Sequence, residues 1–140
     1  MRWAVLLGAL VLGAAEPGYV DPATCTACHA EIAASYAKTG MGRSFGRVNR
    51  VPALARFDHA ASRQWFRVAA RGDEWFLTRQ PFGDERRMDY VMGSGNHSQT
   101  FLYRNAAGLL MELPVSWYAE GGGKWRMSPG YDRADHSGFQ

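Results

Sequence analysis

The sequence predicts an α+β fold, in which a short N-terminal helix packs with antiparallel β-hairpins and much of the chain is irregular. Two observations lead to this prediction. An alanine-rich stretch with helix-starting residues lies near the N-terminus, and aromatic or β-branched stretches separated by turn residues follow it. The length of 140 residues suits one small domain.

The predicted helix begins at Asp21 and extends to about Lys38. Asp21 suits the N-cap and Pro22 suits the first helical position. Gly40 stands where a left-handed residue commonly ends a helix. Residues 41–52 contain glycine and proline without a clean period, so a loop is predicted to follow the helix.

Two β-hairpins are predicted further along the chain. The first pairs residues 64–69 with residues 74–79, and the second pairs residues 100–104 with residues 109–113. A turn that contains glycine joins the two strands of each hairpin. Pro114 is expected to end the last of these strands or to start an edge strand, because proline cannot donate a backbone hydrogen bond.

The N-terminus has the layout of a secretory signal peptide. Met1-Arg2 is a basic start, residues 3–13 are apolar and uncharged, and Gly13-Ala14-Ala15 offers the small residues that a signal peptidase reads. We therefore expect cleavage of residues 1–15, which leaves residues 16–140 as a periplasmic or otherwise exported domain with no membrane span. A retained signal anchor or a lipid attachment is the lesser alternative, because the apolar run is too short to span about 30 Å of hydrocarbon as a helix and no cysteine lies at the cleavage site. The formal net charge of +3 includes no long basic run, so nucleic-acid binding is not expected.

The only two cysteines, Cys25 and Cys28, are too close together to staple a fold of this size, so they are expected to carry chemistry. With His29 they form Cys-x-x-Cys-His, the attachment motif of haem c. Two thiols at this spacing form thioethers with the haem, and the histidine becomes the proximal axial ligand of the iron. A zinc site and a redox-active dithiol are the alternatives, although zinc would need two further ligands.

The chain resembles the N-terminal portion of multihaem c-type cytochromes of the cytochrome c554-like group. The resemblance covers nearly all of the chain after the signal peptide, and it depends on residues 25–32, 39–45, 89–97, 113–118 and 128–132. It implies one covalent haem here and further Cys-x-x-Cys-His sites beyond the region of Asp135-His136. This chain contains no further site, so we expect either a C-terminally truncated piece or a short single-haem version.

A second axial ligand is expected from the remaining histidines. His97 is the leading candidate, because Gly93-Ser94-Gly95-Asn96 before it allows a close backbone approach to a flat cofactor. His59 is the alternative distal ligand, since it lies in a plausible strand, and His136 ranks last. Methionine ligation is a further alternative, which ranks lower because the cytochromes that the chain resembles mostly use paired histidines.

The predicted function is electron transfer by haem c, without catalysis, between redox partner proteins that the sequence does not identify. The alternative is a haem-containing redox enzyme, or a sensor module, that acts on small nitrogen or oxygen species. No Ser-His-Asp arrangement, phosphate-binding loop or well-spaced carboxylate pair is recognisable in the sequence.

Overall fold

The computed structural model describes residues 20–139, so the predicted signal peptide at residues 1–15 lies outside it. Within these residues nine strands form two antiparallel sheets, preceded by two short helices. The helices are α1 (Pro22–Thr26) and α2 (Ala30–Tyr36), and a 3-10 turn spans Glu120–Gly122. The strands are β1 (Phe45–Arg47), β2 (Phe57–His59), β3 (Gln64–Arg71), β4 (Glu74–Gln80), β5 (Asp84–Arg87), β6 (Tyr90–Met92), β7 (Ser98–Arg104), β8 (Leu110–Tyr118) and β9 (Lys124–Met127).

The predicted α+β class, with a helix packed against hairpins, is wrong. The protein is mostly β, and its core lies between a five-stranded sheet ordered β1-β6-β7-β8-β9 and a four-stranded sheet ordered β2-β3-β4-β5. Phe66 and Leu77 from the smaller sheet and Phe101, Leu113 and Val115 from the larger one are fully buried. Because the two sheets cover each other's apolar faces, the core does not need the helices.

The N-terminal helix is correctly predicted at its start and wrongly predicted in its length. The Ala23 amide donates to Asp21 Oδ1 at 2.9 Å, which confirms Asp21 as the N-cap. The helical conformation then stops, and His29 (φ −126°, ψ 42°) is the N-cap residue of a second helix. Thr39 ends α2 through its hydroxyl, which donates to the Tyr36 carbonyl oxygen at 2.7 Å, and Gly40 does not take up a left-handed conformation.

Both predicted hairpins are present, as β3–β4 and β7–β8. Two local predictions beside them are wrong. Pro114 lies inside β8, where a register shift leaves Leu113, Pro114 and Val115 opposite Phe101 alone and so removes proline from the regular ladder. The segment predicted as a loop contains β1, which pairs with β6 at the edge of the larger sheet.

Candidate haem-attachment site

One tight turn brings together the three residues of the predicted attachment motif. Cys25 lies in α1, and its carbonyl oxygen accepts hydrogen bonds from the Cys28 and His29 amides at 3.3 and 3.0 Å. Both thiols are free and exposed. The local backbone therefore presents two unpaired thiols and an imidazole within five consecutive residues, which is the donor set that covalent haem c requires.

His29 has a fixed backbone and an uncommitted side chain. Its carbonyl oxygen accepts the Ala33 amide at 2.9 Å and so begins the hydrogen bonding of α2. The imidazole is exposed and makes no hydrogen bond or ion pair with any residue between 20 and 139. A histidine that ligates haem iron needs both properties, because its ring nitrogen must be free to bind the iron while the backbone holds the residue in place.

An uncovered apolar stripe, formed by Ile32 and Tyr36, lies on α2 just after the motif. These two residues are four apart within the helix, so they lie on one face of it, whereas Cys28 precedes the non-helical N-cap residue His29. The exposed fraction is 66% for Ile32 and 51% for Tyr36, and α2 buries no residue. A shallow cavity of about 310 Å³ beside the stripe is lined by Cys28, His29 and Ile32, among others. Because helices in folded domains normally bury their apolar face, the uncovered stripe fits a large apolar cofactor held at this place.

The loop after α2 connects this stripe to the edge of the larger sheet. Gly42 approaches the end of the helix so closely that an added Cβ would lie 2.2 Å from the Tyr36 carbonyl oxygen. The Ser44 carbonyl oxygen then accepts the Gly93 amide at 2.6 Å. Phe45 of β1 pairs in register with Met92 of β6, and both side chains are exposed. Two exposed apolar side chains therefore lie at the edge of the larger sheet, on the strands that follow this loop.

His97, the leading predicted distal ligand, lies on a loop that meets the end of the helical segment. A Cβ added to Gly40 would be in van der Waals contact with Ser94 and Asn96, at 3.5 to 3.9 Å. The His97 carbonyl oxygen accepts the Ala119 amide at 2.8 Å, which holds the backbone, while the side chain is exposed beside a cavity of about 410 Å³. This contact lies beyond the C-terminal end of α2, eleven residues after His29, so it brings the loop of His97 to the end of the helix opposite His29.

His59, the alternative distal ligand, is in a different position. It is only 6% exposed, at the end of β2 in the smaller sheet. Its Nδ1 lies 2.7 Å from Ser62 Oγ and its Nε2 lies 3.0 Å from Asp132 Oδ1. Both ring nitrogens are therefore occupied, Nδ1 by the turn that follows β2 and Nε2 by the C-terminal segment. The half-buried ring of His136 packs 5.0 Å from the Tyr131 ring.

Among residues 20–139, no three His, Cys, Asp or Glu side chains form a cluster that could hold a metal ion, and no helix is long and apolar enough to span a membrane.

No protein-family model matches the chain, and neither the curated proteins nor the solved structures contain a match to it. The attachment motif and its surroundings therefore carry the functional reasoning.

Sequence reasoning did not anticipate the contribution of β1 and β6 to the exposed apolar surface. Phe45 falls in a segment predicted as a loop, and Met92 lies in a strand of three residues. Such short strands leave no recognisable alternation in the sequence. Their pairing depends on contacts between residues more than forty positions apart.

Proposed function

We propose that this chain is an exported c-type cytochrome domain that binds one haem c covalently and transfers electrons. The observation that carries the proposal is the presentation of two free thiols and an uncommitted imidazole at the head of an uncovered apolar stripe. This set of groups has the chemistry of a haem c site, and the stripe supplies apolar surface for the macrocycle.

Each residue of the site has a role in this proposal. The sulfurs of Cys25 and Cys28 hold the cofactor, and His29 supplies the proximal nitrogen. His97 would supply a second nitrogen to the iron, since its side chain is exposed and uncommitted, whereas both His59 nitrogens have other partners. Ile32 and Tyr36, which are exposed without a ligand, would lie against the haem and exclude water from that side. When bound, haem c supplies an iron that accepts and releases one electron.

Covalent attachment is tested by expressing the full chain with a cytochrome c maturation system and staining a denaturing gel for haem. Wild-type protein should retain haem, Cys25→Ala and Cys28→Ala should each weaken attachment, and the double variant should lose it. Ala27→Ser, which changes a residue inside the motif without altering its pattern, should behave as wild type. Wild-type protein without covalent haem would refute the proposal. Mass spectrometry of the periplasmic fraction tests cleavage after Ala15.

The distal ligand is tested by absorption spectroscopy of two histidine variants. His97→Ala should convert low-spin iron to a high-spin form or open it to carbon monoxide, whereas His59→Ala should leave the spectrum unchanged. If both variants stay six-coordinate and low-spin, the His97 assignment is wrong and the exposed Met41 and Met92 become the candidates. Five-coordinate iron in the wild type would instead favour the alternative function, a redox enzyme or sensor for small nitrogen or oxygen species.

A further inference from the structure

A separate cavity, here called the Arg50 cavity, lies on the other side of the loop that carries His97. Its volume is about 460 Å³, and its lining includes Asn49, Arg50, Ser94, Gln99 and Trp117. The amide, hydroxyl, indole and guanidinium groups of these side chains can all donate hydrogen bonds, and no carboxylate lines the cavity. Such a lining is suited to an anion.

The charge distribution along the chain supports the same conclusion. Residues 32–57 contain five basic residues and no acidic one, whereas residues 58–139 contain ten of each. Arg56 pairs with Asp58 at 2.6 Å, but Arg50 forms no ion pair with any residue between 20 and 139. The guanidinium in the cavity is therefore available for an external carboxylate or another oxyanion.

The walls of the Arg50 cavity are held by contacts outside it. Val51, next to Arg50, is buried in the core, and the Trp125 indole donates to the Ala53 carbonyl oxygen at 3.3 Å. The Trp117 ring packs on Gly123, where an added Cβ would lie 2.8 Å from Cζ2. These contacts fix the segment of Arg50 and the aromatic wall before any ligand binds, which lowers the entropic cost of binding.

We propose that the Arg50 cavity binds a small oxyanion, with Arg50 as the charged partner and Asn49 and Gln99 as neutral donors. Two sources share this chemistry. One is a propionate of the attached haem, because Ser94 on the rim also lies against Gly40 at the end of the helical segment. The other is a free carboxylate or inorganic oxyanion from solution. The first source rests on the proposed function, and the second does not.

The free-anion source is tested by adding acetate to the reduced holoprotein at constant ionic strength and recording ¹H–¹⁵N NMR spectra. Saturable shifts of the Gly95 and Gln99 amide signals would establish binding. Arg50→Gln should weaken it about tenfold or more, since a charge-assisted hydrogen bond is lost. Arg126→Gln, which removes an exposed arginine from β9 of the same sheet, should leave it unchanged.

The propionate source is tested by measuring the midpoint potential against pH in the wild type and both variants. If a propionate fills the cavity, acetate should cause no saturable shift, and Arg50→Gln should move the pH-dependent step of the potential to higher pH. The reason is that the guanidinium no longer favours the ionised propionate. Arg126→Gln should not move it.

The two measurements separate failure of this inference from failure of the proposed function. If Arg50→Gln and Arg126→Gln are indistinguishable in both measurements, no oxyanion binds at the Arg50 cavity. If the chain carries no haem, the proposed function fails. In that case the acetate titration of the haem-free chain alone decides whether the Arg50 cavity binds an oxyanion. If the Gly95 and Gln99 amide signals show no saturable shift, the inference is overturned.

Discussion

Substitution of Ile32 by serine should destabilise the protein only when haem is attached. Ile32 is 66% exposed in the structure, so Ile32→Ser in the haem-free chain should change the free energy of unfolding by less than about 0.5 kcal/mol. Full burial of a large aliphatic side chain stabilises by roughly 1.5–3 kcal/mol. If haem covers the exposed two-thirds of Ile32, the same substitution should cost about 1–2 kcal/mol in the holoprotein.

The measurement is urea unfolding in two backgrounds, the covalent holoprotein and the Cys25→Ala/Cys28→Ala chain that cannot attach haem. With a urea dependence of about 2 kcal/mol per molar, the holoprotein midpoint should fall by roughly 0.5–1 M. The difference between the two backgrounds isolates the contact of Ile32 with the haem.

Leu109 provides a matched control for this experiment. It is 61% exposed, and it lies just before β8, in the turn of the β7–β8 hairpin. Leu109→Ser should have the same small effect in both backgrounds. If Ile32→Ser also has equal effects in the two backgrounds, haem does not cover the apolar stripe, and the reasoning from its exposure fails.

The remaining predictions concern the sandwich and can be tested by chemical unfolding. Phe101→Ala should lower the free energy of unfolding by about 3–5 kcal/mol, because Phe101 is fully buried and stacks on a tryptophan with ring centroids 5.5 Å apart. A loss below about 1 kcal/mol would contradict the burial of Phe101 between the two sheets. His59→Ala should lower the free energy of unfolding by about 1–3 kcal/mol, because it removes both hydrogen bonds of a buried ring. An unchanged urea midpoint would show that these hydrogen bonds do not stabilise the fold. The Arg71 guanidinium holds the pKa of Glu85 below its usual value, so Glu85→Gln should lower the free energy of unfolding at neutral pH. This loss should shrink as the pH falls below about 4.3, the pKa in the unfolded chain, and through the lower pKa in the folded protein. Burial raises the pKa of Glu112, so Glu112→Gln should raise the free energy of unfolding at neutral pH, and this gain should disappear below about pH 4.3. If both glutamate variants change the free energy of unfolding in the same direction at neutral pH, the opposite pKa shifts are wrong.

Local chemistry made several parts of the protein predictable from the sequence. Asp21 before Pro22 begins a helix because its side chain accepts an otherwise unpaired amide, and this depends on neighbouring residues alone. The β3–β4 turn was predictable for a similar reason, since Gly72 takes up a positive φ of 60° that favours glycine. The candidate attachment motif is also a local feature, because its five residues are consecutive and the prediction of haem attachment depends on their spacing.

The interruption of the helix at His29 was not predictable from local preferences. Threonine, cysteine and histidine between positions 24 and 29 have low helix propensities, but a penalty of at most about 0.7 kcal/mol per residue does not fix where a helix breaks. The observed break places the imidazole at the N-cap of α2, and Cys25 and Cys28 in separate parts of the segment. The backbone around Cys25, Cys28 and His29 therefore differs from the continuous helix predicted, and the predicted role of these residues stays a prediction.

The sequence by itself determined where the two main hairpins form and which residues are candidates for haem attachment. Only the tertiary structure decided that the helices stay outside the core, that both nitrogens of His59 are occupied, and that Arg50 meets Gln99 in one cavity. These features depend on residues that are distant in the chain, such as His59 and Asp132. A local sequence pattern reports the preferences of neighbouring residues, whereas such long-range contacts form only when the two sheets pack and bring their loops together.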